Sequence, residues 1–573
     1  MKKSILFLLL ISFISISYSQ KNDNILFTYG NDQVTKSEFI HAFQKNNNLS
    51  KATEQELREY LDLYINFKLK VKQGFVEGID TSYVFQKELA SYRSQSAQQY
   101  LIDKEVTDQL IDEALERAKY HIRASHILIS CPTTASPSDT LAAFKKVLEI
   151  REKIMKGTSF FDAAVEYSDD KSAQDQYNSQ TKRWQYGNKG ELGYFTVFDL
   201  IYPFETGAYN TPVGTVSMPV RSAYGYHLIY VQDKTPAITK LVIKQIFVED
   251  TLARNNQFSD LSKEKIAEIQ KRLKAGIPFE TVAKELSDDK ATREKGGEIE
   301  PFAPNRRPGN FVNGCINIEQ GTYSLTPISS SLGWHIIKVE NIEKLVVNKD
   351  TYSHIIKNKI SRDQRSHKSK ESLVEKLKKE YKYKDKNKNK AFKFLAKNIP
   401  ANYFSNPDTT DLSKLPGIEK LKPLFTYADQ SESVVDFAKY ISKFQGMEYK
   451  GELEDFFNER FPYYVQDKIL AYENANLEKK YPEFQELVTE YREGMILFEI
   501  NTIKVWNEAL RDSIGIQEYY NTVKDEYGKP FNEIRAIIVS EYQNELEKRW
   551  INDLKKRYPV IINEKAFQSI LKK

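Results

Sequence analysis

Apolar positions along this chain change period several times, and each change marks an element. RASHILIS (123–130), IKQIFVED (243–250), GYHLIYV (225–231) and GWHIIKV (333–339) alternate or run apolar over strand length, as strands with a buried face do. GTSFFDAAVEYSDDK (157–171) and GIPFETVAKELSDDK (276–290) instead carry apolar residues at helical spacing, which predicts short amphipathic helices. Strand-type and helix-type runs follow in the same order twice.

The order is kept to within a residue. His126 to Asp170 and Gln245 to Asp289 each span 44 positions, and Phe195 to His227 spans 32 against 33 for Phe302 to His335. GELGYF (190–195) matches GGEIEPF (296–302) between them. Spacing held over about 110 residues predicts two copies of one small α/β domain, at 119–235 and 236–345. The first copy has about a dozen extra residues in the loop AQDQYNSQTKRWQYGNK (173–189).

A second duplication brackets the first. LFTYGNDQVTKSEFI (26–40) resembles LFTYADQSESVVDFA (424–438), and ELASYRSQSAQQYLI (88–102) parallels LVTEYREGMILFEI (487–500). These charged stretches, poor in Gly and Pro, predict mostly helical modules at 20–118 and 419–573. Between them 346–418 reads as a helical linker, and its basic run KLKKEYKYKDKNKNK (376–390) as a solvated helix end.

With 573 residues, several domains are expected. Its 84 basic and 79 acidic groups nearly cancel to a net charge of +5, so no nucleic-acid footprint stands out. The start, MKKSILFLLLISFISISYSQ, sets two lysines before a short apolar run and small residues. It predicts a signal peptide over 1–19, cut near Ser19 and Gln20, and an exported chain without a membrane span. Cys131 and Cys315 are the only cysteines, too few for a disulfide framework. The 35 Tyr and 32 Phe fit either large cores or surfaces that grip apolar chains.

ASHILI, FFDAAVEYSDD, GELGYF, YPFETGAY and YGYHLIYV, in this order, resemble a parvulin-type peptidyl-prolyl cis-trans isomerase domain. The whole arrangement resembles the SurA-type and PrsA-type foldases of bacterial envelopes. The resemblance implies an α+β multidomain fold: two parvulin-like α/β domains, each an antiparallel sheet with helices, flanked by mostly helical chaperone modules. It implies a catalytic set of His126, Asp170 and His227, with Leu200 and Phe204 as the proline pocket. The family's MVPAF appears here as LIYPF, which displaces Tyr202 and Pro203 from the pattern.

In the second copy His335, Asp289 and Phe311 are kept, but Gln245 replaces the first histidine and Arg307 stands at the position of Leu200. An unpaired guanidinium is costly to bury, so this copy is expected to be degenerate, a binder or scaffold. Isomerisation needs an apolar socket and polar groups in fixed protonation states, without nucleophile, cofactor or metal. His121 and His126, five apart on one strand, point to opposite faces and do not form a metal pair. No G-x-S-x-G elbow occurs.

Several alternatives stay open at this level. The histidine pair either tunes Asp170 or only stabilises the sheet, and Trp184 and Tyr186 either cover the site or tuck against the domain. Implied partners are unfolded exported polypeptides with X-Pro bonds, outer-membrane β-barrel proteins among them, in the periplasm. The rival functions are a non-catalytic holdase and a structural adaptor of an envelope assembly machine.

Overall fold

The computed structural model describes residues 24–133, 135–180, 182–400, 403–404, 410–446, 449 and 451–571. The expected signal peptide lies outside them. Backbone contacts divide the chain into two compact units: residues up to Gln98 together with those from Asn476 onward, and Gln99–Ala475. This differs from a single C-terminal module at 419–573. The part before Ala475 packs with the helices that follow the second copy, and the part after it packs with the N-terminal segment.

In the first unit a hairpin, Ile25–Tyr29 and Asp32–Thr35, is extended by a strand from the far end of the chain, Val560–Ile562. Thr53 and Glu56 close a reciprocal capping box at the start of the helix Glu54–Val76. This helix buries Leu57, Leu61, Ile65 and Leu69 in a core shared with Leu554 and Phe567. Gly74 lets it approach the helix Pro482–Asn501, since a Cβ there would lie 2.3 Å from Ile496 Cγ2. The two segments expected to be parallel copies are packed partners: Tyr92 and Tyr491 stack with centroids 3.5 Å apart and planes at 2°.

The second unit holds both repeats. Helix α1 (Lys104–Ala118) leads into strand β1 (Tyr120–Ser130). Helices α2 (Pro137–Met155) and α3 (Phe160–Tyr167) follow, capped by Ser136 and Ser159. Then come β2 (Glu191–Phe195), α4 (Tyr202–Asn210), β3 (Val220–Arg221) and β4 (Gly225–Pro236). The antiparallel sheet has the order β2-β1-β4-β3. Strand parity divides its side chains: Ile127, Ile129 and Leu228 pack under α2 and α3, while Ile122, Ala124, Ile229 and Val231 pack under α4.

The second copy repeats the plan with β5 (Ile238–Glu249), α5 (Asp260–Lys274), α6 (Phe279–Leu286), α7 (Gly309–Ile316), β6 (Ile328–Ser329) and β7 (Gly333–Lys344). Its sheet order is β6-β7-β5, and single bridges Leu241–Phe302 and Lys244–Glu298 stand where the first copy has a full strand. Gly190 and Gly297 occupy matching places with φ of +82° and +89°, where a Cβ would meet the carbonyl oxygens of His126 and Gln245 at 2.4 and 2.3 Å. Only glycine fits either position.

Helices α8 (Lys349–Ile360) and α9 (Ser366–Glu380) follow. Val374 and Leu377 of α9 enter an aromatic core with Phe392, Phe425, Phe437, Phe457 and Phe461. The repeat at 424–438 thus opens, like its counterpart at 26–40, with a hairpin (Phe425–Tyr427, Gln430–Glu432) before its helix. Both modules are mostly helical, as expected, and each also carries a short hairpin that the helical pattern did not indicate. Among the described residues no helix is long and apolar enough to cross a membrane.

Candidate active site

His126 and His227 project from the α4 face of the sheet because of their positions in the register. His126 faces Ile229 and His227 faces Leu128 across the β1–β4 ladder, which makes the two imidazoles diagonal neighbours on one face. Their rings stack with centroids 5.8 Å apart and planes at 18°. Phe204 stands edge-on to both, at 5.7 Å from His126 and 5.2 Å from His227. Leu200 packs into the same apolar cluster as Phe204, with Phe195, Ala208 and Val231.

Asp170 arrives from the turn after α3. Asp169 N–H donates to Leu128 O (2.8 Å), and Ser168 Oγ accepts from Leu128 N–H (3.1 Å). These bonds fasten the Ser-Asp-Asp turn to β1. Asp170 Oδ2 then lies 2.8 Å from His126 Nε2, while Oδ1 accepts from Ser172 N–H at 3.0 Å. The five residues expected from the sequence therefore lie together.

Protonation follows from these contacts. Burial alone would raise the Asp170 carboxyl, but hydrogen bonds from Ser172 and His126 outweigh it and lower the pKa. His126 is lowered because burial outweighs the attraction of Asp170. Burial, reinforced by His126 and Arg221, brings His227 down to about 4. Both rings are neutral near pH 7, and Asp170 is a carboxylate that accepts the His126 Nε2–H.

The two histidines are not hydrogen-bonded to each other. His227 Nε2 pairs with Ser222 Oγ at 2.7 Å, and the Nδ1 atoms of both rings are buried without a hydrogen-bond partner. Their tautomers are complementary: His126, protonated at Nε2, leaves Nδ1 as an acceptor, and a Ser222 hydroxyl donating to His227 Nε2 leaves a proton on His227 Nδ1.

The second copy shows the same chain with the link closed. Ser330 Oγ meets His335 Nε2 at 2.8 Å, His335 Nδ1 meets Gln245 Oε1 at 2.9 Å, and Gln245 Nε2 donates to Asp289 Oδ2 at 2.8 Å. A glutamine amide, donating from its NH₂ and accepting at its oxygen, takes the place of the imidazole. Phe311 stands 5.0 Å from the His335 ring. Arg307 is exposed and its guanidinium lies over Phe302 at 5.4 Å, so it rims the site rather than filling it. Gln245, Asp289, Arg307, Phe311, Leu332 and His335 line a groove of about 700 Å³.

Ser222 and Ser330 were missed from the sequence, although a serine stands five residues before the histidine in both repeats. Tyr202, displaced from the family pattern, turns away from the pocket. Its hydroxyl donates to Glu113 Oε2 (2.9 Å), and its ring packs with Leu110, Ile356 and Ile360. The inserted loop forms a hairpin, Gln176–Asn178 with Arg183–Gln185, whose Tyr177 and Trp184 rings pair at 5.5 Å and stay exposed. His121 Nδ1 accepts from Ile238 N–H at 3.2 Å, a structural role.

Comparison with known proteins agrees with the duplication. Residues 112–235 and 249–341 match two models of the PPIC-type PPIASE domain. A protein named Chaperone SurA from Nitrosococcus oceani is 26% identical over 39% of this chain and 49% of its own length. A Chaperone SurA from Hahella chejuensis is 28% identical over 44% and 55%. The chain thus spans about half the length of the curated relatives it matches. The solution structure of NmPin, the parvulin of Nitrosopumilus maritimus, is 34% identical over 20% of this chain and 96% of its own, with a TM-score of 0.14. This is an α+β multidomain chain similar to the SurA chaperones, and its two repeats are domains of the PPIC peptidyl-prolyl isomerase type.

Proposed function

We propose that the first repeat isomerises X-Pro bonds in unfolded exported polypeptides, and that the rest of the chain holds those clients. The observation that carries this reading is the edge-on placement of Phe204 against both imidazoles, with Leu200 in its cluster and the Asp170 carboxylate on His126.

Amide resonance sets a barrier of roughly 18–20 kcal/mol to rotation. Phe204 and Leu200 hold the proline ring in an apolar socket and exclude water. The Asp170 carboxylate, set beside the amide oxygen, disfavours the resonance form that places negative charge there and so favours the twisted state. Ser172 and His126 keep the carboxylate ionised and oriented, and Ser222 holds His227 in place beside His126. No bond is made or broken. His126, Asp170 and His227 are the proposed catalytic group, and Leu200 and Phe204 the proposed substrate pocket.

For the second repeat, Gln245, Asp289, Arg307, Phe311 and His335 make a peptide-binding groove without turnover. Client holding is also supported by a groove of about 670 Å³ in the first unit, lined by Val84, Phe85, Met495, Phe498 and Ile503. The N-terminal sequence supports export by a signal peptide cut near Ser19 and Gln20, and a periplasmic site of action. Outer-membrane β-barrel proteins are the client class that this location favours. A protease-coupled assay on a prolyl peptide tests the central reading: wild type accelerates the cis-to-trans step and Asp170→Ala does not. A wild-type rate equal to the uncatalysed one would favour the holdase.

A further inference from the structure

The two pocket residues are held from behind by one carboxylate. Glu205, next to Phe204 on α4, is 0% exposed. Its Oε2 accepts the backbone N–H of Phe198 at 2.8 Å, which pins the loop that carries Leu200. Phe198 has a φ of +69°, a left-handed conformation that a bulky residue keeps only when surrounding contacts enforce it. Glu205 therefore fixes both the loop with Leu200 and the helix with Phe204.

Two arginines from outside the sheet neutralise it. Arg117, at the end of α1, donates from Nη1 to Glu205 Oε1 at 2.7 Å. Arg365 lies 160 residues downstream, beyond the second repeat, and donates from Nη2 to Glu205 Oε2 at 2.9 Å. It is 0% exposed, flanked by the rings of Phe198 (4.1 Å) and Tyr202 (4.5 Å), and held through Nε by Asp363 Oδ1 (2.8 Å). Val197 and Tyr202 from the pocket segment share a core with Ile356 and Ile360 of α8. A carboxylate this buried holds its place only while the arginines that pair with it remain.

We propose that Arg365 is a positioning residue for the first repeat's prolyl pocket, acting through Glu205 on the segments that bear Leu200 and Phe204. The working isomerase unit then extends beyond 119–235 to the segment after the second repeat. This rests on the isomerase reading above.

The test is steady-state prolyl isomerisation by the full chain, well below its melting transition, for wild type, Arg365→Met, Arg365→Lys and Glu205→Gln. Arg365→Met is expected to lower kcat/KM about 10- to 100-fold while circular dichroism remains native, the scale of a pocket displaced by about an ångström. Arg365→Lys, which keeps the charge, is expected to recover part of it. A purely structural role would lower the melting temperature but leave kcat/KM of the folded protein unchanged, and that result would overturn the proposal. Should Arg365→Met not fold, Glu205→Gln decides: every partner of this carboxylate is a donor, so an amide NH₂ must oppose one of them. Unchanged kcat/KM in Glu205→Gln would equally overturn it. An inactive wild type would remove the isomerase reading itself, whereas an active wild type with indifferent variants removes this proposal alone.

Discussion

His335 Nδ1 and Gln245 Oε1 lie 2.9 Å apart in the second repeat, closing a chain of hydrogen bonds from Ser330 to Asp289. The first repeat has the same ends, Ser222 and Asp170, but an imidazole in the place of the amide. The protein thus contains its own control for the first histidine.

His126→Gln should convert the first chain into the second. The new amide can accept from His227 Nδ1 and donate to Asp170, so the expected loss of stability is within about 1 kcal/mol. His126→Ala leaves a cavity and takes away the donor to Asp170 Oδ2, and is expected to cost about 2–4 kcal/mol. Chemical denaturation of both variants checks the difference. Isomerase activity in His126→Gln should stay within about 10-fold of wild type, because Asp170 keeps its donor.

The pH profile follows from the depressed histidines. His227 and His335 each have a native pKa of about 4, in both cases chiefly through burial, against 6.5 when exposed. Between these values the unfolded chain binds more protons than the native one, so stability falls as pH falls from about 6.5 to 4. Above that window each group contributes on the order of 3 kcal/mol. Thermal unfolding across pH 4 to 7 should show the decline, and imidazole NMR signals should show both rings neutral at about pH 6.

Activity should come from one repeat only. Phe204→Ala is expected to reduce prolyl isomerisation by the full chain to the uncatalysed rate, while Phe311→Ala leaves it within about 2-fold of wild type. Peptide binding measured by fluorescence should respond to Phe311→Ala, since that ring forms the wall of the second groove.

The first unit should survive cleavage of its connections. Tyr92 stacks on Tyr491, Arg93 pairs with Glu478, and Arg492 pairs with Asp80. Limited proteolysis near Gln98 and Asn476 is expected to leave the N-terminal and C-terminal fragments associated during gel filtration. Tyr491→Ala should weaken that association.

Local pattern made the repeats legible. Strand parity places His126, His227 and the aliphatic residues around Phe204 on one face, and paired spacings bring Asp170 and Asp289 to equivalent positions. The glutamine at 245 was legible as a substitution but not as a working link, because a strand sequence does not state what its diagonal neighbour donates. The joining of 24–98 to the C-terminal helices escaped the sequence altogether. Helical periodicity shows that a face is buried without naming what buries it. Arg365 escaped for the same reason: a lone arginine between helices reads as a solvated charge until Glu205 is placed against it.

Exchange NMR on a prolyl peptide with substoichiometric protein tests the central claim most directly, since it reads cis-trans interconversion without a coupling protease. Wild type should produce exchange cross-peaks between cis and trans signals, and neither Asp170→Ala nor Phe204→Ala should. Absence of cross-peaks with folded wild type, or their persistence in Phe204→Ala, would contradict it.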